Sequence, residues 1–287
     1  MKRTLAGLAL TTAAALLTAT PAHAAAPTDP AKALKRQLVA GKGVTFTDVT
    51  KINEGGHSLV YGRRTGTLQL APSGPVAADI TGKLAINASD IPEDAPEGMS
   101  GLAKPEHVIR IKNTSYISGG LVGEFLPEGK TWLKTTGGPD GLGMGMTGSI
   151  SQIVNITEPG TLKALLATAK PSRGAYSGTI TIGALNKVSP WFRASWPAKL
   201  TVKTAKAKIT WKLGVDGRSL PQRLTVSYDG TALGVGKSRV SVVIDTRYTG
   251  WGAKAAIQAP PADQVTTKLS TEDGAVPEVP FLSGTGR

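Results

Sequence analysis

Residues 211–228 read WKLGVDGRSLPQRLTVSY, and this stretch has the pattern of a β-hairpin. Asp216-Gly217 is a turn signal, and it separates two runs in which apolar and polar residues alternate. The alternation puts two apolar sets on one face, with Ile209, Trp211, Leu213 and Val215 opposite Leu224, Val226 and Tyr228. The stretch therefore predicts an antiparallel sheet with one buried face.

Strand-like runs extend from this hairpin in both directions, and Gly, Pro or Asn-Asp punctuation bounds each of them. They cover residues 44–52, 57–64, 65–70, 76–86, 106–118, 130–136, 175–185, 198–204, 207–216, 220–230 and 238–251. The acidic, Pro-rich segment 87–98 is expected to be a solvated loop. The Gly-rich segment 137–148 is expected to be a mobile loop with its methionines at the rim of an apolar opening.

Two helices interrupt the strands. Residues 30–40 place Leu34 and Leu38 one turn apart, and residues 157–169 carry apolar residues at i, i+3, i+4 and i+7. Each helix is apolar along one stripe only, so each needs a sheet to lie on. The predicted fold class is α+β, with a single curved antiparallel sheet that has one face covered by helices.

The N-terminus predicts export. Lys2 and Arg3 precede a short apolar run, and Ala22-His23-Ala24 is a small-residue cleavage site, so residues 1–24 read as a signal peptide cleaved after about Ala24. We expect residues 25–287 to form one domain, with a flexible tail from about residue 268, that is secreted and acts as a monomer. The chain has no cysteine, so neither a disulfide nor a lipid-modified cysteine is available.

The mature chain is strongly basic. The 33 Lys and Arg fall to 31 without Lys2 and Arg3, and they face 20 Asp and Glu, which gives a net charge of +11. This charge favours anionic partners such as phospholipid heads or wall phosphates, and nucleic acid is not expected in an exported protein. It is equally compatible with solubility alone.

Several segments in order resemble the actinobacterial cell-envelope lipoproteins of the LppX and LprG kind, which share the half-barrel of the carrier LolA. The resemblance covers most of the mature chain, and no single motif in it is diagnostic. It rests on residues 128–134, 162–185, 211–216, 220–223, 248–252 and 259–265. This chain departs from those lipoproteins in having no cysteine after the signal peptide.

The resemblance implies an open half-barrel whose concave face, capped by helices, encloses an apolar cavity for a lipid acyl chain. Alternation in residues 175–185 turns Tyr176, Gly178, Ile180 and Ile182 toward that cavity. Trp211, Leu213, Val242 and Ile244 are predicted to line it as well. Trp191 and Phe192, from the densest aromatic cluster, either plug the end of the core or form a lip that touches the ligand.

The final stretch, residues 247–265, reads as a structural terminator. Pro260 and Pro261 cannot donate to a sheet ladder, so they are expected to end pairing, and Asp263 to turn the chain away. The last strand is thereby predicted to be closed against further pairing.

Enzyme chemistry finds little support in the sequence. His57 and His107 alone cannot form a closed zinc site, no G-x-S-x-G is present, and the G-x-G-x-x-G at 143–148 lacks a parallel βαβ context. We therefore expect a non-enzymatic carrier that needs no cofactor and no metal. The alternatives are a cell-wall interaction or signalling module with a filled cavity and, ranked last, a hydrolase.

Overall fold

The computed structural model describes residues 29–136, 144–149, 151–196, 200–232 and 239–271. In this part of the chain twelve strands form one sheet in the order β12-β6-β5-β4-β3-β2-β1-β11-β10-β9-β8-β7. The predicted signal peptide lies outside the described residues.

The sheet is large, curved and unclosed, and helices lie on its inner, concave face, which confirms the predicted fold class. Its strands are β1 Lys42–Glu54, β2 His57–Ala71, β3 Gly74–Leu84, β4 Glu106–Ile111, β5 Thr114–Gly119, β6 Trp132–Thr136, β7 Lys170–Ser172, β8 Ala175–Thr181, β9 Lys208–Val215, β10 Pro221–Asp229, β11 Ser241–Lys254 and β12 Val265–Thr266.

The helices are short. They are α1 Pro30–Gln37, α2 Gly120–Gly123, α3 Gly145–Gly148, α4 Pro159–Leu166, α5 Ile182–Val188, α6 Pro190–Ser195 and α7 Val202–Lys206, with 3₁₀ turns at Ala88–Asp90, Met99–Ala103 and Ala262–Gln264. In the described part of the chain, none of these helices combines the length and apolar character that crossing a bilayer requires.

The predicted hairpin is confirmed as β9 and β10. Leu213 pairs with Leu224 and Trp211 with Val226, in the register that the alternation implies. Both predicted helices are present as well. The first ends at Gln37, earlier than predicted; its Leu34 and the following Leu38 are 1% and 6% exposed, and Leu162 and Leu165 of the second are fully buried.

The first and the last long strands, β1 and β11, pair with each other in the middle of the sheet. Chain ends far apart in sequence therefore build its centre, and the free edges belong to β7 and β12. The prediction that pairing stops at Pro260 and Pro261 is wrong. Beyond the prolines the chain reaches the far edge, where Val265 and Thr266 pair in parallel with β6.

Parts of two runs predicted as strand are helical. In the run 198–204, residues 202–204 begin α7, and residues 198 and 199 lie outside the described residues; in the run 175–185, residues 182–185 lie in α5. In both places a threonine caps the helix: the Thr201 side chain accepts from the Thr204 amide, and the Thr181 side chain accepts from the Ala184 amide. These hydrogen bonds satisfy free amides of the first turn, and they outweigh the β propensity of the sequence.

The Gly-rich segment was expected to be a loop with its methionines at the rim of an apolar opening, but its described part contains the short helix α3 and its methionines are buried. Met144 and Met146 are 1% and 6% exposed. The buried carboxylate of Glu106 accepts hydrogen bonds from the Met146 amide at 2.9 Å and from the Thr147 amide at 3.0 Å. The carboxylate thus anchors α3 against the sheet. Residues 137–143 lie outside the described residues.

Two apolar clusters cover the inner face. The larger joins the inner side chains of β1–β3 and β8–β11 to α1 and to α4, α5 and α6, and the smaller lies where Val108 and Ile117 of β4 and β5 pack against α2. Leu269 packs in the smaller cluster, so the packed chain continues past residue 268. Residues 272–287 lie outside the described part.

Candidate ligand-binding site

The nine residues predicted to line a cavity lie in the larger cluster, and we call them the apolar site. Eight are at most 8% exposed, and Tyr176 is half-buried and packs against the others. The apolar site consists of Tyr176, Ile180, Ile182, Trp191, Phe192, Trp211, Leu213, Val242 and Ile244.

Six of these residues come from strands, and the sheet register aligns them on the inner face. Trp211 of β9 stands opposite Gly178 of β8 on one side and Val226 of β10 on the other. Val226 in turn faces Ile244 of β11. The register therefore forms a continuous apolar row across four strands.

Gly178 makes room for the largest side chain of that row. A Cβ atom at this position would lie 3.0 Å from Cζ2 of Trp211, tighter than most packed contacts. The absence of a side chain lets the indole approach the backbone of the neighbouring strand closely. Gly178, which the alternation placed on the inner face, thus contributes to the site by leaving room for the Trp211 ring.

Ile182 belongs to the site for a different reason from the one predicted. Strand alternation was expected to turn it inward, but β8 ends at Thr181 and Ile182 begins α5. The side chain is nevertheless fully buried in the larger cluster. Residue 182 therefore lies in the cover, where helix geometry sets its direction.

The aromatic cluster around α6 forms another part of the cover. Trp191 and Phe192 are 5% and 0% exposed. Phe192 stacks on Trp196 with ring centroids 5.1 Å apart, and Trp196 meets the edge of Tyr228 on β10 at 6.0 Å. Aromatic packing therefore links the cover to the sheet, and Arg193 remains exposed on the outside.

Glu158 holds this cover in place. Its carboxylate accepts hydrogen bonds from Thr161 Oγ1 at 2.8 Å, from Ser189 Oγ at 2.5 Å and from the Trp191 amide at 2.7 Å. It therefore links the start of α4 to the start of α6. Burial raises the pKa of Glu158 above its ordinary value, although the hydrogen bonds from Ser189, Trp191 and Thr161 oppose the shift.

This raised pKa gives a pH-dependent prediction. Below the unfolded pKa of glutamic acid, about 4.3, the group is neutral in both states, and the cost of its buried charge appears as pH rises through the folded pKa. We expect the Glu158→Gln variant, which is always neutral, to gain stability relative to the wild type over that rise. Urea midpoints between pH 4 and pH 8 measure the difference.

The exposed Glu128→Gln variant is the control, and we expect its difference from the wild type to stay within about 0.5 kcal/mol at every pH. A Glu158→Gln difference that stays flat, or that falls as pH rises, would contradict the assignment of Glu158 as a carboxyl strained by burial.

Buried polar groups of the inner face were missed by the sequence analysis. Asp48 and Arg64, directly opposite each other on β1 and β2, form a salt bridge with both side chains at most 1% exposed. Farther along, Thr50 and Ser151 share a hydrogen bond of 2.7 Å. The sequence contained a signal for this pair, because the alternation places a charged residue on the inner face. A buried charge of this kind requires a partner of opposite charge.

Several other buried polar atoms have no hydrogen-bond partner among the described residues. Among them are Trp196 Nε1, Trp211 Nε1, Asn155 Nδ2 and Gln152 Oε1. Three of these four are donors, and both tryptophans belong to the larger apolar cluster. A buried donor without an acceptor costs about 1–3 kcal/mol, so this interior has the chemistry to receive a group that carries acceptors.

Catalytic or metal chemistry is not apparent in the described residues. Within these ranges no three His, Cys, Asp or Glu side chains lie close enough to hold a metal ion together. The two carboxylates with raised pKa, Glu106 and Glu158, each have several hydrogen bonds from nearby groups and serve to anchor the cover.

Comparisons with known proteins leave the family open. No protein-family model and no curated protein matches the sequence. Similar solved structures include a DUF1329 family protein from Desulfovibrio piger, at 12% identity and a TM-score of 0.31, over 77% of this chain and 94% of that chain. They also include a LolA superfamily protein from Nitrosomonas europaea, at 8% identity and a TM-score of 0.32, over 80% and 96%.

A hypothetical protein from Chlamydia trachomatis is similar at 12% identity and a TM-score of 0.27, over 80% of this chain and 98% of that chain. Likeness at these TM-scores does not decide the family. The fold class rests on the twelve-stranded sheet itself.

Proposed function

We propose that the protein is a non-enzymatic carrier that binds an amphiphilic molecule between the inner face of the sheet and its helical cover. The ligand has an apolar chain and a group rich in hydrogen-bond acceptors, such as the ester carbonyl of a lipid. The observation that carries the proposal is the set of unpartnered donors, Trp196 Nε1 and Trp211 Nε1, inside an apolar cluster.

The cover is suited to admitting such a molecule. The helices that lie over the apolar site have eight residues or fewer, and helices of this length are marginal unless tertiary contacts support them. Local opening of such elements requires less free energy than global unfolding. Burial of each methylene then contributes about 0.8 kcal/mol, so a long chain offsets the separation of cover and sheet.

We propose as part of the same function that the protein is exported. With residues 1–24 acting as a cleaved signal peptide and no cysteine for lipid attachment, the carrier works outside the membrane as a freely secreted or loosely wall-associated protein. The resemblance of several segments to envelope lipoproteins that carry lipids supports this reading.

The alternative is an interaction module whose interior is filled by its own side chains. The close packing of the apolar site favours it, since eight of the nine residues are at most 8% exposed. The two functions differ in one property, because a filled interior takes up no apolar molecule.

The Trp211→Phe variant tests the role of the unpartnered donor. It keeps an aromatic ring and removes the Nε1–H group, so a ligand carbonyl loses one hydrogen bond, which is worth about a 2- to 10-fold change in affinity. Displacement of bound diphenylhexatriene measures the affinity for methyl palmitate and for octadecane. We expect the variant to lose affinity for the ester and to keep its affinity for the alkane.

The matched control is Trp251→Phe, because the Trp251 indole donates to the Pro221 carbonyl at 2.8 Å within the protein. We expect this variant to bind both competitors as the wild type does. If Trp211→Phe lost affinity equally for the ester and for the alkane, this would contradict a hydrogen bond from Trp211 Nε1 to the ligand. No binding of the probe by the wild type would favour the filled module.

A further inference from the structure

The outer face of the sheet carries a second feature that the carrier proposal does not use. Outward side chains of β10, β11, β1 and β2 line an open cleft of about 450 Å³. Four of the lining residues are cations, Lys51, Arg63, Arg223 and Arg247, and Asp245 is the one carboxylate in the lining. The cleft spans four strands, about 14 Å at the usual strand spacing.

Asp245 neutralises only one of these cations. Its two oxygens accept from Arg223 Nε at 2.8 Å and from the Arg223 terminal nitrogen at 2.5 Å, a bidentate pair. Lys51, Arg63 and Arg247 have exposed side chains and no ion pair with any residue of the described ranges. The cleft therefore has an excess of three positive charges.

The sheet register makes this excess unusual. Arg223 stands directly opposite Arg247, and Arg63 stands directly opposite Lys83, which lies beside the cleft. Like charges in directly opposite positions destabilise a sheet. The Arg63–Lys83 pair costs stability in the free protein, and the Arg223–Arg247 pair does so to a smaller extent because Asp245 partly neutralises Arg223. An anion bound among these cations offsets that cost.

Between the cations the lining is mixed. Val49, Val60 and Val243 are half-buried, and Thr47 and Thr225 contribute hydroxyl groups. A recess of this kind admits a single chain better than it fits the flat surface of a bilayer, whose anions all lie in one plane. Cations spread over about 8–14 Å, by strand spacing and rise, match successive charges along a flexible polyanion.

We propose that this cleft binds a linear, phosphate-bearing polymer. Arginine and lysine side chains recognise phosphate through charge-assisted hydrogen bonds, and the spacing of the cations selects a chain with repeated phosphates over a single one. This binding is independent of the apolar site, which lies on the opposite face of the sheet.

Calorimetric titration with long-chain inorganic polyphosphate, at low and at physiological salt, tests the proposal. We expect the wild type to bind and the affinity to fall as salt rises. The Arg63→Glu, Arg247→Glu double variant should lose affinity by more than about 30-fold, the loss expected from removing two basic residues near an anionic surface, because the two added carboxylates also repel the ligand. Diphenylhexatriene binding should not change, since the reversals lie on the outer face.

The melting temperature of the same double variant provides a second test, because the two reversals replace like-charge pairs by opposite-charge pairs. Each reversal places a glutamate opposite a cation, Arg247→Glu opposite Arg223 and Arg63→Glu opposite Lys83. We expect its melting temperature to equal or exceed that of the wild type while binding is lost. The control Lys203→Glu, Lys206→Glu makes the same charge change at exposed positions of α7 and should keep its affinity.

Three outcomes would overturn the proposal. They are no binding of polyphosphate by the wild type, equal loss in the α7 control, and binding of phosphatidylglycerol vesicles without binding of polyphosphate. The Lys51→Gln variant keeps the test decisive if the double variant does not fold, because it removes one cation of the cleft and should weaken polyphosphate binding by about 5-fold.

Discussion

Replacing Asp48 with alanine is expected to lower the free energy of unfolding by about 3–5 kcal/mol. Arg64 donates from Nε to Asp48 Oδ1 at 3.3 Å and from its terminal nitrogen to Oδ2 at 2.7 Å. The side chains are 1% and 0% exposed, so the variant leaves a guanidinium in the interior without its hydrogen-bonded counter-charge. Denaturant midpoints with unchanged slopes measure the loss.

Two further variants separate the pair from its surroundings. The double variant Asp48→Leu, Arg64→Met removes both charges and should recover most of the loss, because a buried ion pair contributes little beyond an apolar pair of similar volume. Asp245→Ala is the exposed control, since it removes the partner of Arg223 at the surface and should cost at most about 1 kcal/mol. If Asp48→Ala and Asp245→Ala lowered the free energy of unfolding equally, this would contradict the burial of the Asp48–Arg64 pair away from water.

The local parts of the fold follow from the sequence, and the long-range parts do not. The β9–β10 hairpin and the helices α1 and α4 are predictable because their apolar period and turn residues are contained in short stretches. The pairing of β12 with β6 joins residues more than 130 positions apart. Nothing in the two residues Val265 and Thr266 specifies a partner so distant along the chain.

The helices α5 and α7 show how capping competes with strand propensity. Their sequences contain alternating apolar residues, yet Thr181 and Thr201 accept hydrogen bonds from amides three residues ahead. One side-chain hydrogen bond decides between two conformations of similar propensity. Sequence patterns that count only apolar residues overlook it.

The candidate site was predictable in its apolar part only. Alternation selected the inner residues of β9 and β11 correctly, because a buried face demands apolar side chains at every second position. The unpartnered indole donors and the Glu158 anchor depend on tertiary neighbours from different elements. These groups are brought together only when α6 packs over the sheet.

The Ile180→Trp variant is expected to abolish the uptake of an apolar probe while leaving stability nearly unchanged. Ile180 stands opposite Ile209 on the inner face and is 8% exposed. If the cover opens above this row to admit a ligand, the larger indole fills the volume that the ligand would take. If the same volume is permanently packed, the indole overpacks it and costs about 1–3 kcal/mol.

The measurement is therefore a pair on one variant, a denaturant midpoint and diphenylhexatriene binding. Ile180→Leu is the control, since it conserves volume and should change neither quantity appreciably. Retained probe binding together with a lowered midpoint would contradict the placement of the ligand at the apolar site.

If the protein carries an amphiphilic molecule inside its sheet, that molecule should be present in the purified protein. Organic solvent extraction followed by mass spectrometry should recover a molecule with a long apolar chain and at least one carbonyl, in an amount approaching one per protein. The Ile180→Trp variant, purified in parallel, should yield none. Repeated absence of any such molecule from the wild type, together with no binding of diphenylhexatriene, would contradict the carrier and favour the filled module.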